Sequence, residues 1–148
     1  MGKLLSVTYL FEYNRETIAF FSVSNDKISI TDFESKRGFK KLFADIMPTG
    51  KKYKSYPAVK IGRLGVHAPF QNCGFGGQLL DYIKGMFMTN NRTGCQYITV
   101  DAYNQSLRFY EKNGFKFLTE VDKNSDTRQM YFSLLDLFES EFDFLALR

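Results

Sequence analysis

The chain has 148 residues, 44% hydrophobic and 17% aromatic, with a formal net charge of +4. That length and composition can bury one substantial core, and the absence of any Pro-rich, Ser-rich or repeated tract excludes a linker-joined, low-complexity or solenoid protein. Two cysteines, Cys73 and Cys95, are too few for a disulfide framework and lack metal-ligand spacing with the single histidine, His67, so free thiols and no metal are expected.

No apolar run approaches the roughly 20 residues that a bilayer span needs, and no signal peptide opens the chain, so no membrane partner and a cytoplasmic location are expected. Charge is unevenly placed. Between Lys36 and Arg63 stand nine basic residues (Lys36, Arg37, Lys40, Lys41, Lys51, Lys52, Lys54, Lys60, Arg63) against Asp45 alone, whereas after Leu134 come Asp136, Glu139, Glu141 and Asp143 against Arg148. The basic stretch suits a polyanion, and equally a solvated surface.

Taken in order, residues 4–13 and 17–30 are rich in β-branched and aromatic side chains and read as paired strands about an Asn14-Arg15-Glu16 turn. Residues 33–46 space Phe39, Leu42, Phe43 and Ile46 as a helix, which Pro48 and Gly50 end. Residues 58–66 form the next strand. Residues 75–88 set Phe75, Leu79, Leu80, Ile83, Met86 and Phe87 on one stripe, the pattern of a helix lying on a sheet. A strand follows at 95–102, completing a strand, helix, strand crossover. Asn104 is read as the cap of a helix running to Asn113, ended by Gly114 with Phe115 folding back. Strands at 115–119 and 128–134 flank a polar turn at 122–126. The fold class is α/β, a mixed sheet with helices on both faces.

The segment Gly62-Arg63-Leu64-Gly65-Val66-His67-Ala68-Pro69-Phe70-Gln71-Asn72-Cys73-Gly74-Phe75-Gly76-Gly77 leads from a strand through a glycine loop into a helix. Glycines at 74, 76 and 77 let the backbone bend and come close to a ligand, and the unpaired amides at a helix start point at whatever sits there. Phosphate fits such a cradle. The loop is neither a Walker A sequence nor a full dinucleotide fingerprint.

Gln71-Asn72-Cys73-Gly74-Phe75-Gly76 resembles the Gln/Arg-x-x-Gly-x-Gly/Ala signature of the GNAT superfamily of N-acetyltransferases, and Arg63 to His67 is similar to the strand before it. About thirty residues on, Val100-Asp101-Ala102-Tyr103-Asn104 and Phe109-Tyr110-Glu111-Lys112-Asn113-Gly114-Phe115 resemble the superfamily's second cofactor segment. The likeness runs over residues 4–134, so a domain over 1–134 and an acidic, apolar tail over 135–148 are expected. It implies a mostly antiparallel twisted sheet flanked by helices. Against that pattern the strand and helices that usually precede the hairpin are expected to be absent: either the sequence is an N-terminally shortened form, or the acceptor-site wall they form falls to a partner subunit, as in a homodimer, or to the tail.

The resemblance also implies chemistry: an amine attacks the thioester of acetyl-CoA directly, through a tetrahedral oxyanion, and the coenzyme A thiolate leaves. Loop residues Gln71, Asn72, Cys73, Gly74, Phe75, Gly76 and Gly77, with Leu64, Val66 and Asn104, are the implied cofactor contacts. Val66 is the backbone donor to the thioester carbonyl, and Tyr110 the acid that protonates the thiolate. Cys73 is a space-filler, and Arg63 is either an orienting cation or a surface residue.

The sequence offers no obvious base; His67 and Glu12 could serve, and neither sits in a pattern that demands that role. A lysine acceptor, with pKa about 10.4, would need one, whereas an α-amine at about 7.7 to 8.0 is often neutral unaided. Within the superfamily, residues 59–66 and Phe20-Phe21-Ser22-Val23 resemble the toxin branch that acetylates aminoacyl-tRNA and is silenced by a DNA-binding antitoxin. Three readings follow: an acetyltransferase of a small-molecule or peptide amine, a toxin acting on aminoacyl-tRNA, and a non-catalytic coenzyme A- or RNA-binding domain.

Overall fold

The computed structural model describes residues 5–43, 54–89 and 94–137. Six strands form one sheet in the order β1-β2-β3-β4-β6-β5, where β1 is Val7–Tyr13, β2 Glu16–Ser29, β3 Ser55–Val66, β4 Tyr97–Tyr103, β5 Lys116–Phe117 and β6 Thr127–Ser133. All neighbours are antiparallel except β3 and β4, which are parallel and joined by helix α2, Phe75–Thr89. This is the crossover that the sequence implies, a parallel pair needing a long connection.

The β1–β2 hairpin closes on two residues. Asn14 and Arg15 have φ of 49° and 65°, the doubly left-handed turn whose twist matches the flanking strands, and Glu16 joins β2 instead of the turn. The helix expected over 33–46 is shorter: α1 spans Lys36–Leu42, because the Ser35 hydroxyl accepts from the Gly38 amide at 3.3 Å and fixes its start. Ile46 and the Pro48-Gly50 break lie outside the described residues, as do 138–148 of the expected tail.

Period-two alternation divides the sheet into two faces. On one, Val59, Ile61, Ile98, Val100 and Ala102 pack with Leu79, Leu80 and Ile83 of α2 and with Tyr110 of α3, Leu107–Lys112. On the other, Tyr56, Ala58 and Tyr97 pack with Phe39 and Phe43 of α1, with the Phe43 and Tyr56 rings stacked 4.1 Å apart. Helices therefore cover both faces.

Two interruptions shape the middle of the sheet. In the β2–β3 ladder Ser22 pairs with Arg63 and Val23 with Ile61, so Gly62 is an unpaired bulge residue. A Cβ there would lie 3.1 Å from the Ser22 hydroxyl, which a glycine avoids. The β3–β4 ladder stops at Ile61 and Val100, although β3 continues to Val66 and β4 to Tyr103. Beyond that point the two strands are no longer paired.

Candidate active site

A cleft of about 330 Å³ opens where β3 and β4 part, lined by Gly62, Arg63 and Leu64 on one side, Val100 to Tyr103 on the other, and Phe20, Ser106 and Tyr110. Its existence follows from the bulge: one extra residue shifts the phase of β3, so that Ile61 and then Leu64 and Val66 face the α2 side. The His67 amide donates to the Ile18 carbonyl at 2.7 Å. By the alternation of an antiparallel ladder, the amides of Arg63 and Gly65 then also face β2, and those of Leu64 and Val66 face the side that β4 has left. Unpaired strand amides directed at a cleft are donors for a carbonyl oxygen.

The glycine loop follows the end of β3. Gln71 Nε2 donates to the Val66 carbonyl at 2.9 Å, tying the loop back to the end of β3. Asn72 and Gly74 take positive φ, 61° and 85°, and a Cβ at Gly74 would meet nothing within 4 Å, so its surface is open. The Gln78 amide reaches the Gly74 carbonyl at 3.2 Å, which leaves the amides of Phe75, Gly76 and Gly77 ahead of the helical ladder. The other two glycines serve packing: a Cβ on Gly76 would come within 2.9 Å of the Phe109 ring, and one on Gly77 within 3.4 Å of the Asn113 side chain. The Cys73 thiol is exposed and rests 3.5 Å from the Gln71 carbonyl.

Tyr110 is held from below. At the end of α3 the Phe115 amide donates to the Tyr110 carbonyl at 3.0 Å and the Gly114 amide to Glu111 at 3.1 Å, with Gly114 at φ 88°. This is the paired-bond helix stop that the Gly-Phe sequence predicts, and its apolar contact is Tyr110 against Phe115 at 5.3 Å. Burial pushes the Tyr110 hydroxyl up to about 12, so it remains a proton donor throughout the neutral range.

Asn104 departs from expectation. It opens a 3-10 turn, Asn104–Ser106, before α3 begins at Leu107, and its side-chain amide donates to the Ser125 carbonyl at 3.3 Å. The helix therefore lacks the predicted Asn cap, because a tight turn intervenes. His67 is exposed beside Ile18 and Phe70, and Glu12 is exposed on β1 opposite Thr17; neither lines the cleft.

Sequence reasoning missed three groups. Gly62 marks the bulge, and an isolated glycine in a strand is a recognised sign of one. Lys84 is buried, although it falls on the apolar stripe of α2 four residues after Leu80. Its Nζ donates to the Asn113 carbonyl at 2.5 Å and lies 4.2 Å from the Phe132 ring, joining α2 to the end of α3. Asp101, in the cleft wall, pairs with Lys60 at 2.5 Å. A larger groove of about 510 Å³ lies between α1 and the β5–β6 hairpin, on the other face from Tyr110. Among the described residues no three His, Cys, Asp or Glu side chains gather to hold a metal ion, and no helix is long and apolar enough to cross a membrane.

The family pattern of the acetyltransferase (GNAT) domain matches residues 40–117. The chain belongs to that family. No curated protein matches it in sequence. Solved structures share the fold of this GNAT domain. A bacterial toxin superposes with a TM-score of 0.63 at 17% identity, over 84% of this chain and 64% of the toxin. AtaT in complex with acetyl-methionyl-tRNAfMet gives 0.68 at 22%, over 91% and 74%. A tyrosine-to-phenylalanine mutant of the AtaT toxin bound to the C-terminus of the antitoxin AtaR and acetyl-CoA gives 0.59 at 17%, over 87% and 67%. The chain thus spans somewhat under two thirds of the first of these and about two thirds to three quarters of the others.

The residues present fit acetyl-CoA. Open, left-handed backbone at Gly74 and the free amides of a 15-residue helix suit its pyrophosphate, and the cleft between β3 and β4 suits its pantetheine arm.

Proposed function

We propose that this GNAT domain transfers the acetyl group of acetyl-CoA to the α-amino group of aminoacyl-tRNA. The observation that carries the reading is the parting of β3 from β4 with Tyr110 in the wall of the gap, since it puts amide donors and a proton donor around one space. Bound in that space, acetyl-CoA supplies an activated acetyl thioester. The loop amides from Cys73 to Gly77 hold the pyrophosphate. The amides of Leu64 and Val66 donate to the thioester oxygen as negative charge grows on it, and the Tyr110 hydroxyl donates to the departing sulfur.

The acceptor follows from what the cleft lacks and what its surroundings offer. Neither His67 nor Glu12 lines it, and the carboxylate in its wall, Asp101, is already paired with Lys60; this favours an amine that is often neutral on its own, and an α-amine at about 7.7 to 8.0 meets that condition. Asp101 and Tyr103 of the cleft wall stand, by alternation along β4, on the face of the sheet against which α1 packs. There Lys36, Arg37, Lys40 and Lys41 are all exposed while Phe39 is buried, a basic surface for a phosphate backbone. The fold neighbours include a toxin with an acetylated aminoacyl-tRNA and a toxin with its antitoxin, and an antitoxin partner and a homodimer are part of the same reading.

The decisive assay supplies labelled acetyl-CoA with charged tRNA, uncharged tRNA, polyamines and peptides in parallel. Label is expected on charged tRNA alone, with a rate that drops steeply as salt rises. Equal or faster labelling of polyamines or peptides would return the protein to the small-amine or peptide class.

A further inference from the structure

Asp101 has no part in the chemistry so far described, yet it stands in the cleft wall. Alternation along β4 turns Thr99 and Asp101 to the α1 face, opposite Val100 and Ala102, which pack beneath α2. The cleft wall therefore draws on both faces of the sheet, Tyr110 standing on one and Asp101 on the other. The Asp101 carboxylate holds the Lys60 ammonium at 2.5 Å, and the two side chains are 42% and 33% exposed. Another carboxylate, that of Asp26, is engaged differently, accepting from the Thr99 hydroxyl at 2.5 Å.

We propose that Asp101 is the docking group for the acceptor's ammonium, which it takes over from Lys60. The inference rests on the acceptor being an amine on charged tRNA. An α-amine at about 7.7 to 8.0 exchanges readily between its two forms near neutral pH; a carboxylate recognises the protonated form, and the amine gives its proton to solvent before it attacks. Lys60 is a primary ammonium already bound in that position, so it shows that the site accepts this chemistry. Exchange replaces one ammonium by another and never leaves the carboxylate bare. Half-exposed ion pairs of this kind are held weakly, so the displacement is easy. Once displaced, Lys60 remains on the face that α1 makes basic, where it faces an incoming phosphate backbone.

The test uses the full chain, a mixed pool of aminoacylated tRNA, and the same pool deaminated to hydroxyacyl-tRNA as a competitor that lacks the ammonium. Asp101→Asn is expected to raise KM for charged tRNA about tenfold, with KM for acetyl-CoA and the inhibition constant of hydroxyacyl-tRNA unchanged. Asp101→Glu should restore most of the loss. Lys60→Met, which removes the internal competitor, should lower KM for charged tRNA. The proposal is overturned if Asp101→Asn and Asp101→Glu both leave that KM unchanged, or if they raise the hydroxyacyl-tRNA constant in parallel. It is equally overturned if Lys60→Met raises KM as Asp101→Asn does, the mark of a purely structural pair. Wild-type protein that acetylates no charged tRNA overturns the functional reading and this inference with it, whereas the other outcomes touch the inference alone.

Discussion

Burial keeps the Tyr110 hydroxyl protonated, with a pKa pushed up to about 12, and that decides how it can assist a leaving sulfur. Full proton transfer from such an acid to an ordinary thiolate at about 8.5 is uphill by about 5 kcal/mol. On the proposed mechanism its contribution is therefore a hydrogen bond that strengthens as charge reaches the sulfur, with transfer completed as the product loosens. Tyr110→Phe keeps the ring contacts with Phe109 and Phe115 and removes that donor. Turnover is expected to fall about 100-fold with little change in acetyl-CoA affinity, measured by steady-state kinetics beside calorimetry. Unchanged turnover would leave only a packing role.

A second residue, Arg128, carries structure instead. Its Nε donates to Asp122 Oδ1 at 2.8 Å, its Nη2 to the Thr119 carbonyl at 2.9 Å, and its guanidinium lies 4.3 Å from the centre of the Phe117 ring. A lysine cannot make this planar fork. Arg128→Lys is expected to cost about 2 kcal/mol in chemical denaturation without altering KM for acetyl-CoA.

At the scale of elements, two glycines with nearly the same backbone angle have different duties. Gly114, at φ 88°, ends the helix that carries Tyr110, and an added Cβ would also meet the Phe132 ring at 3.0 Å. Gly74, at φ 85°, has open space around it. Gly114→Ala should therefore lose about 2 kcal/mol of stability and slow turnover by shifting Tyr110, whereas Gly74→Ala should lose about 1 kcal/mol and mainly weaken acetyl-CoA binding. Thermal melts paired with coenzyme titrations separate the two patterns.

These elements were largely open to sequence reasoning because their signals are local. The stripe of Leu79, Leu80 and Ile83, the β-branched run before it and the Gly114-Phe115 stop each specify geometry within a few residues. What escaped depends on distant partners. The Gly62 bulge is defined only against Ser22, and the Asp101 pair joins residues from strands separated in sequence by the whole of α2. Asn104 was misjudged because a capping residue and the first residue of a 3-10 turn have the same preference for short polar side chains. Lys84 was legible in principle, since a lysine on an apolar stripe must find a carbonyl or an aromatic face, and it found both.

At the scale of the whole molecule, burial of titratable groups on the two sides of the sheet sets an alkaline limit. Desolvation raises Tyr110 on one face and Tyr97 and Tyr131 on the other, Tyr97 also through the neighbouring Tyr56, while Lys84 between α2 and α3 is lowered by burial. The signs are opposite. A raised tyrosine is protonated longer in the folded chain, so the stabilisation it represents is complete below about pH 10 and is lost as pH climbs toward the folded-state value. A lowered lysine holds its proton longer in the unfolded chain, so the fold gains stability as pH rises from the folded-state value to about 10.5. Three tyrosines outweigh one lysine above pH 10 and the lysine acts alone just below it. Melting temperature is expected to edge upward on the approach to pH 10 and then drop, as each tyrosine removes at most about 1.4 kcal/mol of stability per pH unit. Lys84→Met should abolish the rise and leave the drop, and Tyr110→Phe should make the drop shallower. A melting temperature that stays level to pH 11.5 in the wild type would mean that these side chains reach solvent without unfolding, and that the cleft wall around Tyr110 opens far more readily than its packing implies.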